Sequence, residues 1–175
     1  VSSALVIASV GAVMLLAIIG APLGGYLTDR WYRRSPKARM RFPALSSLLT
    51  AVLLVITFGM LHGPAQYIML LCSGIAAAAF VPAAVAVTQD VVHPGLRAVS
   101  LSVNVIVQHL FGSAVGPPVI GLLSDRMGLE EAMLFIPVFN LAAGLLFLAG
   151  SFFYQRDLAK VTAMDIPLET GDPIA

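Results

Sequence analysis

Four long stretches of this 175-residue chain carry no Asp, Glu, Lys or Arg, and that spacing limits the possible folds more than any motif does. They are residues 1–28, 42–89, 98–124 and 132–155. The second is long enough for two crossings and is divided by the polar turn His62-Gly63-Pro64. Each resulting run reaches or exceeds the roughly 20 residues that cross about 30 Å of hydrocarbon as a helix. The expected fold is therefore an all-α polytopic membrane protein with five transmembrane helices, near 4–27, 42–61, 66–88, 98–123 and 132–154. Composition agrees, with 59% hydrophobic and 11% charged residues against roughly a quarter charged in an average soluble domain. Five spans leave no room for a separate soluble domain. Beyond Arg156 the apolar pattern fades, and Pro167, Gly171 and Pro173 make 157–175 read as a flexible tail.

The net charge of +1 says little, but its distribution orients the chain. If 28–41 is cytoplasmic, alternation puts Arg30, Arg33, Arg34, Lys37, Arg39, Arg41, Arg97, Arg156 and Lys160 inside and leaves Arg126 alone outside. The excess of bases on one side predicts a multi-pass protein of the cell membrane with loop 28–41 and the C-terminus cytoplasmic. These bases abut membrane spans and no aromatic stacking pattern runs through them, so nucleic acid is not an expected partner. Cys72 stands alone in a span and reads as a small packing residue. No His and Cys spacing suggests a metal, and no nucleophile, base and acid set suggests a hydrolase. Gly20, Gly24 and Gly25 lack the Gly-Lys-Ser/Thr ending of a phosphate loop, so no nucleotide or other cofactor is expected.

The segment GGYLTDRWYRR, Gly24 to Arg34, closes the first span. Arginines suit the partially negative carbonyl end of a helix, whereas Asp29 does not. It needs a partner: Arg33, four residues on if the helix continues, or the N-terminus of another helix. Gly20, Gly24 and Gly25 let that neighbour approach closely. Asp29 thus reads as a latch between helices.

This segment resembles the loop motif of the major facilitator superfamily: glycine, three residues, Asp-Arg, then further bases. Tyr32 departs from it, standing where a second glycine is usual. Four spans follow, so the copy resembles the second of the family's two, between helices eight and nine. The resemblance makes residues 1–156 the C-terminal bundle, helices eight to twelve of a twelve-helix transporter, and makes the missing N-terminal half its partner. A chain beginning at Val1 fits an N-terminally incomplete protein. HLFGSAVGPPVIGLLSDRMG, His109 to Gly128, is similar to the glycine-proline pattern of helix five in facilitator exchangers, which the family's two-fold repeat relates to helix eleven. The longer phrase from Leu96 is similar to the spinster-like and anion-symporter-like branches. The former implies amphipathic lipids as substrates and the latter small organic anions.

Site residues follow from depth and charge. If helices eight and ten lie side by side, as the resemblance implies, Asp90 pairs with Arg30 or Arg33. With Gly25 and Asp29 these residues form either a conformational latch or a solvated rim of weak charges. Asn104 and Gln108, four apart on one helical face, and His109 beside them are the substrate-cavity candidates. Asn104 also suits interhelical bonding, and His109 is either a proton-coupling group or a neutral His bonded to a carbonyl. Gly112 and Gly116 are read as helix-packing positions, and Pro117 and Pro118 as a kink. Asn140, Thr50 and Thr57 are assigned to packing. Trp31, Tyr32, Phe152, Phe153 and Tyr154 form the interfacial aromatic belt, and Glu130 and Glu131 suit a helix start.

The function this implies is secondary active transport of a small organic solute by alternating access, as a symporter or antiporter coupled to a proton or ion gradient. Two other classes compete. One is a non-transporting membrane assembly subunit. The other is a membrane-embedded enzyme, for which Asp29 with Asp90 is a poor approximation to paired catalytic acids.

Overall fold

A computed structural model describes the backbone of residues 3–165, with side chains for 18–160 and for residues 11, 15 and 16. Among the described residues the chain is helical throughout, with no strand. In order come α1 (Ser3–Tyr32), α2 (Ala38–Gly59), α3 (Pro64–Asp90), a 3-10 turn (Pro94–Leu96), α4 (Arg97–Val107), a π segment (Gln108–Ala114), α5 (Gly116–Met127), α6 (Leu129–Met133) and α7 (Ile136–Asp165). Four runs are long and apolar enough to cross a membrane: Ala38–Gly59, Pro64–Asp90, Pro94–Met127 and Leu129–Lys160. The 30 residues of α1 give it the length for a fifth crossing.

Breaks between helices fall where the backbone demands them. Gly63 has φ 70° and Gly128 has φ 91°, a left-handed region that only glycine enters without strain, so the chain turns there. Pro64 then opens α3, its missing N–H falling where a helix start needs no partner. Pro137 acts similarly: its ring conflicts with a continuous helix through Leu134 and Phe135, and α7 starts at Ile136. At its other end α7 runs to Asp165, so 157–165, assigned to the tail by composition, continue the helix. Asp157 and Lys160 pair across 3.3 Å there. Positions 166–175, the rest of the expected tail, lie outside the described residues.

Packing follows small residues rather than large ones. The four packed helices stand in the spatial order α1, α3, α2, α7, with α1 and α2 scarcely touching. A Cβ added at Gly20 would sit 2.7 Å from the carbonyl oxygen of Ile75, and one at Gly24 would sit 2.7 Å from Cβ of Ala79. Only glycine admits that approach of α1 to α3. The buried face of α2 is equally lean, built from Ala38, Ala44, Ala51, Ser46, Ser47 and Thr50 among others. Without a hydrophobic drive between helices in lipid, close backbone contact and interhelical hydrogen bonds must hold them. Ser46 Oγ donates to the Ala76 carbonyl at 2.6 Å, tying α2 to α3, and Ser47 Oγ donates to the Asn140 carbonyl at 2.7 Å, tying α2 to α7. Thr50 and Thr57 donate back to the carbonyls of Ser46 and Leu53, which is how buried hydroxyls are satisfied inside a span. Phe80 meets Phe147 edge to face, with centroids 5.3 Å apart.

The span from Pro94 to Met127 differs from the rest. It touches the other helices mainly at its ends, α4 against α3 and α5 against α6, and none of its residues is buried.

Candidate functional site

Polar side chains of four helices converge at the end of the bundle that holds the 33–37 loop. Asp29 and Tyr32 come from the last turns of α1, Arg39 from the first turn of α2, Asp90 from the last residue of α3 and Tyr154 from α7. Arg39 is the centre. Its Nε donates to Asp90 Oδ2 at 2.7 Å and its Nη1 donates to Asp29 Oδ1. The guanidinium lies over the Tyr32 ring, 4.6 Å from the centroid. Tyr154, 3% exposed, donates its phenolic O–H to the same Asp90 oxygen at 2.8 Å. One planar cation thereby satisfies two carboxylates and an aromatic face, a geometry that suits arginine and not lysine.

The pairing differs from the expected one. Asp29 does not use Arg33, because α1 ends at Tyr32 before the helix reaches it, and Asp90 uses neither Arg30 nor Arg33. Arg30 donates instead to the Tyr26 hydroxyl at 3.4 Å. Arg33, just past the end of α1, lines a small pocket with Tyr26, Asp29, Arg30 and Arg34. The reason is register: α2 begins immediately after the loop, and its first turn projects Arg39 between the ends of α1 and α3. A base two residues inside the next helix wins over bases nearer in sequence. By sequence Arg39 is one base among nine, and Tyr154 is one ring of the aromatic belt. A signal for Arg39 does exist, since alternation alone puts Asp29, Arg39 and Asp90 at helix ends on one side of the membrane.

The burial gradient across the node is steep. The side chains of Arg39 and Asp90 are 16% and 20% exposed, whereas Asp29 is 65% exposed. The Arg39–Asp90 half is therefore the structural one, and the Asp29 half can open at little cost in solvation. Gly25 sits one turn before Asp29, where an added Cβ would come 3.9 Å from Pro82 of α3.

The Major Facilitator Superfamily model matches residues 1–117, a segment that holds Asp29, Arg39 and Asp90. The chain belongs to the major facilitator superfamily. No curated protein matches it. Membership makes this facilitator a multi-pass membrane protein of a family of transporters, not of enzymes.

The cavity candidates of this facilitator lie on the separate span. Asn104 is on α4, and Gln108 and His109 open the π segment. Gln108 and His109 are exposed, His109 Nδ1 lies 3.4 Å from Ser113 Oγ, and Asn104 Oδ1 is shielded yet finds no hydrogen-bond partner among the described residues. Nothing in the hydropathy of this segment marks a π turn. It lies immediately before Pro117 and Pro118, which withdraw the donors that the carbonyls of Ser113 and Ala114 would use in an α-helix. The expected interruption thus shows as a widened turn followed by a break at Val115. A Cβ added at Gly112, Gly116 or Gly121 meets nothing within 4 Å, so no neighbour packs against that small-residue stripe among the described residues. Asn140 is a packing residue as expected, with its carbonyl accepting from Ser47 and its Nδ2 donating to the Ile136 carbonyl at 3.3 Å.

A groove of about 820 Å³ runs between α1 and α2 with α3 as its floor. Cys72 opens into it, exposed rather than packed as its sequence context suggested.

Proposed function

We propose that this chain is the C-terminal bundle, helices eight to twelve, of a secondary transporter that moves a small organic solute by alternating access, coupled to a proton or ion gradient. The observation that carries the reading is the contrast between a tightly bonded four-helix node at one end and a span, 94–127, that buries none of its residues. A bundle that rocks as a body needs its helix ends tied together, and a cavity-facing span needs an uncovered polar face. Gln108 and His109 supply that face, with His109 as the group suited to proton coupling. The opposing wall is a second bundle against which this one rocks. The Asp29–Arg39 pair makes and breaks between states while Arg39–Asp90 stays closed, a differential interaction of the kind a two-state device requires. The loop 28–41 faces the cytoplasm of a cell whose plasma or inner membrane holds the protein.

The test is flux in proteoliposomes of the protein under an imposed proton gradient, with small organic anions and amphipathic lipids as separate substrate panels. Gln108→Ala and His109→Ala are expected to lower flux at least tenfold, and Asn140→Ala to leave it within twofold. Equal loss in all three, or no loss in the first two, rejects this cavity assignment.

A further inference from the structure

The groove between α1 and α2 is almost wholly apolar along its length and basic at one end. Leu23 and Leu27 of α1, Leu49 and Leu53 of α2, and Ile75 and Ala79 of α3 form its walls and floor. At the loop end the lining changes to Trp31, Arg30 and Arg34. The same two arginines also line an adjoining pocket of about 380 Å³, together with Arg33, Tyr26 and Asp29. Arg39 is shared between Asp29 and Asp90, so one of those two negative charges remains to set against Arg30, Arg33 and Arg34, and the loop end keeps a net positive charge. No residue of the 94–127 span takes part, so the site is distinct from the Gln108 and His109 face.

The geometry points to a resident anionic phospholipid, its acyl chain lying in the groove and its phosphate held by Arg30 and Arg34. Several observations fix that occupant over others. The volume falls within the roughly 300–1,000 Å³ of ordinary ligand sites. Its floor and one wall belong to α3 and α2, which are long and apolar enough to span, and its other wall is the apolar face of α1, so a hydrocarbon chain lies against apolar side chains there. The cationic end lies where the apolar sequence of α1 stops, the level of lipid headgroups, and basic pockets between transmembrane helices hold anionic headgroups. Trp31 stands at the junction, the depth at which indole rings settle. An apolar helix of another polypeptide would fill the groove but leave Arg30 and Arg34 at its mouth without an anion, whereas a phosphate answers them.

The chain carries its own probe, because Trp31 is its one tryptophan. Reconstitution into phosphatidylcholine vesicles with increasing fractions of phosphatidylglycerol brominated on the upper acyl chain reads occupancy as Trp31 quenching. Brominated phosphatidylcholine is the comparison lipid. The anionic lipid is expected to half-saturate at a mole fraction several-fold lower than the zwitterionic one. Arg30→Gln and Arg34→Gln are each expected to weaken that preference about fivefold, and both residues are exposed, so neither change disturbs the packed helices. Arg41→Gln, which removes an exposed base not lining the groove, is expected to leave it unchanged. Three results overturn the proposal: equal quenching by the two lipids, loss of preference as large in Arg41→Gln, or no quenching by either lipid, which means protein fills the groove. None of them bears on solute flux, so this site and the transport reading stand or fall separately.

Discussion

Arg39 shows how much one side chain carries when it is shared. Two carboxylates, from the ends of α1 and α3, take its Nη1 and Nε, and Tyr154 adds a third element by donating to the Asp90 oxygen that Arg39 already holds. Removing the cation leaves Asp90 mostly buried with only a phenol to answer it. Arg39→Ala is therefore expected to lower the unfolding free energy by about 2–3 kcal/mol, Tyr154→Phe by about 1.5 kcal/mol, the range for bonds to charged groups. Asp29→Asn is expected to lower it by less than ~1 kcal/mol because that carboxylate is exposed. Denaturation in mixed detergent micelles gives the ranking, and a larger loss for Asp29→Asn than for Arg39→Ala contradicts the assignment of the two halves. Tyr32, standing where the superfamily motif usually has glycine, places its ring under the guanidinium, so the departure from the motif adds a contact to Arg39.

At the scale of elements, contacts between helices are made by absence of side chain. Gly20 and Gly24 bring α1 onto Ile75 and Ala79, and the Ala, Ser and Thr face of α2 lets it lie between α3 and α7. Gly24→Leu is expected to push α1 from α3 and cost about 1–3 kcal/mol, as overpacking does. Gly112→Leu, with open space at the same kind of position, is expected to cost less than a third of that in this chain. Thermal unfolding of the two variants side by side measures the difference, and equal shifts remove close α1–α3 approach as the cause. Four of the five expected spans fall on runs long and apolar enough to cross a membrane, α2, α3, 94–127 and 129–160, with ends within about six residues, and the first falls on the 30-residue α1. What the apolar count left unread is internal. Neither the π segment before Pro117 and Pro118 nor the restart of α7 at Ile136 changes hydropathy, and both arise from backbone donors that proline lacks.

The described residues form a row of four packed helices with one span beside it, tied at one end by a charged node. In the proposed transport cycle this body rocks as a unit, and the node is where its motion is felt at the loop. Asp29→Asn is expected to leave the protein in the membrane and slow exchange between inward-open and outward-open forms several-fold. Accessibility of single cysteines to membrane-impermeant reagents added on either side reads the exchange. Unchanged accessibility together with unchanged transport takes Asp29 out of the mechanism.

The sequence by itself determined the all-helical membrane class and where the long apolar runs lie, because burial in hydrocarbon imposes one requirement, an uninterrupted apolar run of sufficient length, that composition alone can meet or fail. It also determined the superfamily resemblance, since Gly-x-x-x-Asp-Arg is local. Partner choice was decided by the tertiary structure. Asp29 and Asp90 each had several arginines within reach on paper, and only the position and rotation of α2 on α3 put Arg39, rather than Arg30 or Arg33, between them. The groove with its basic mouth is likewise invisible in sequence, because its walls come from three helices and its shape depends on α1 and α2 both packing on α3 while standing apart from each other. Charge pairing falls off over a few ångströms, and such distances between helices are set by how closely their backbones pack.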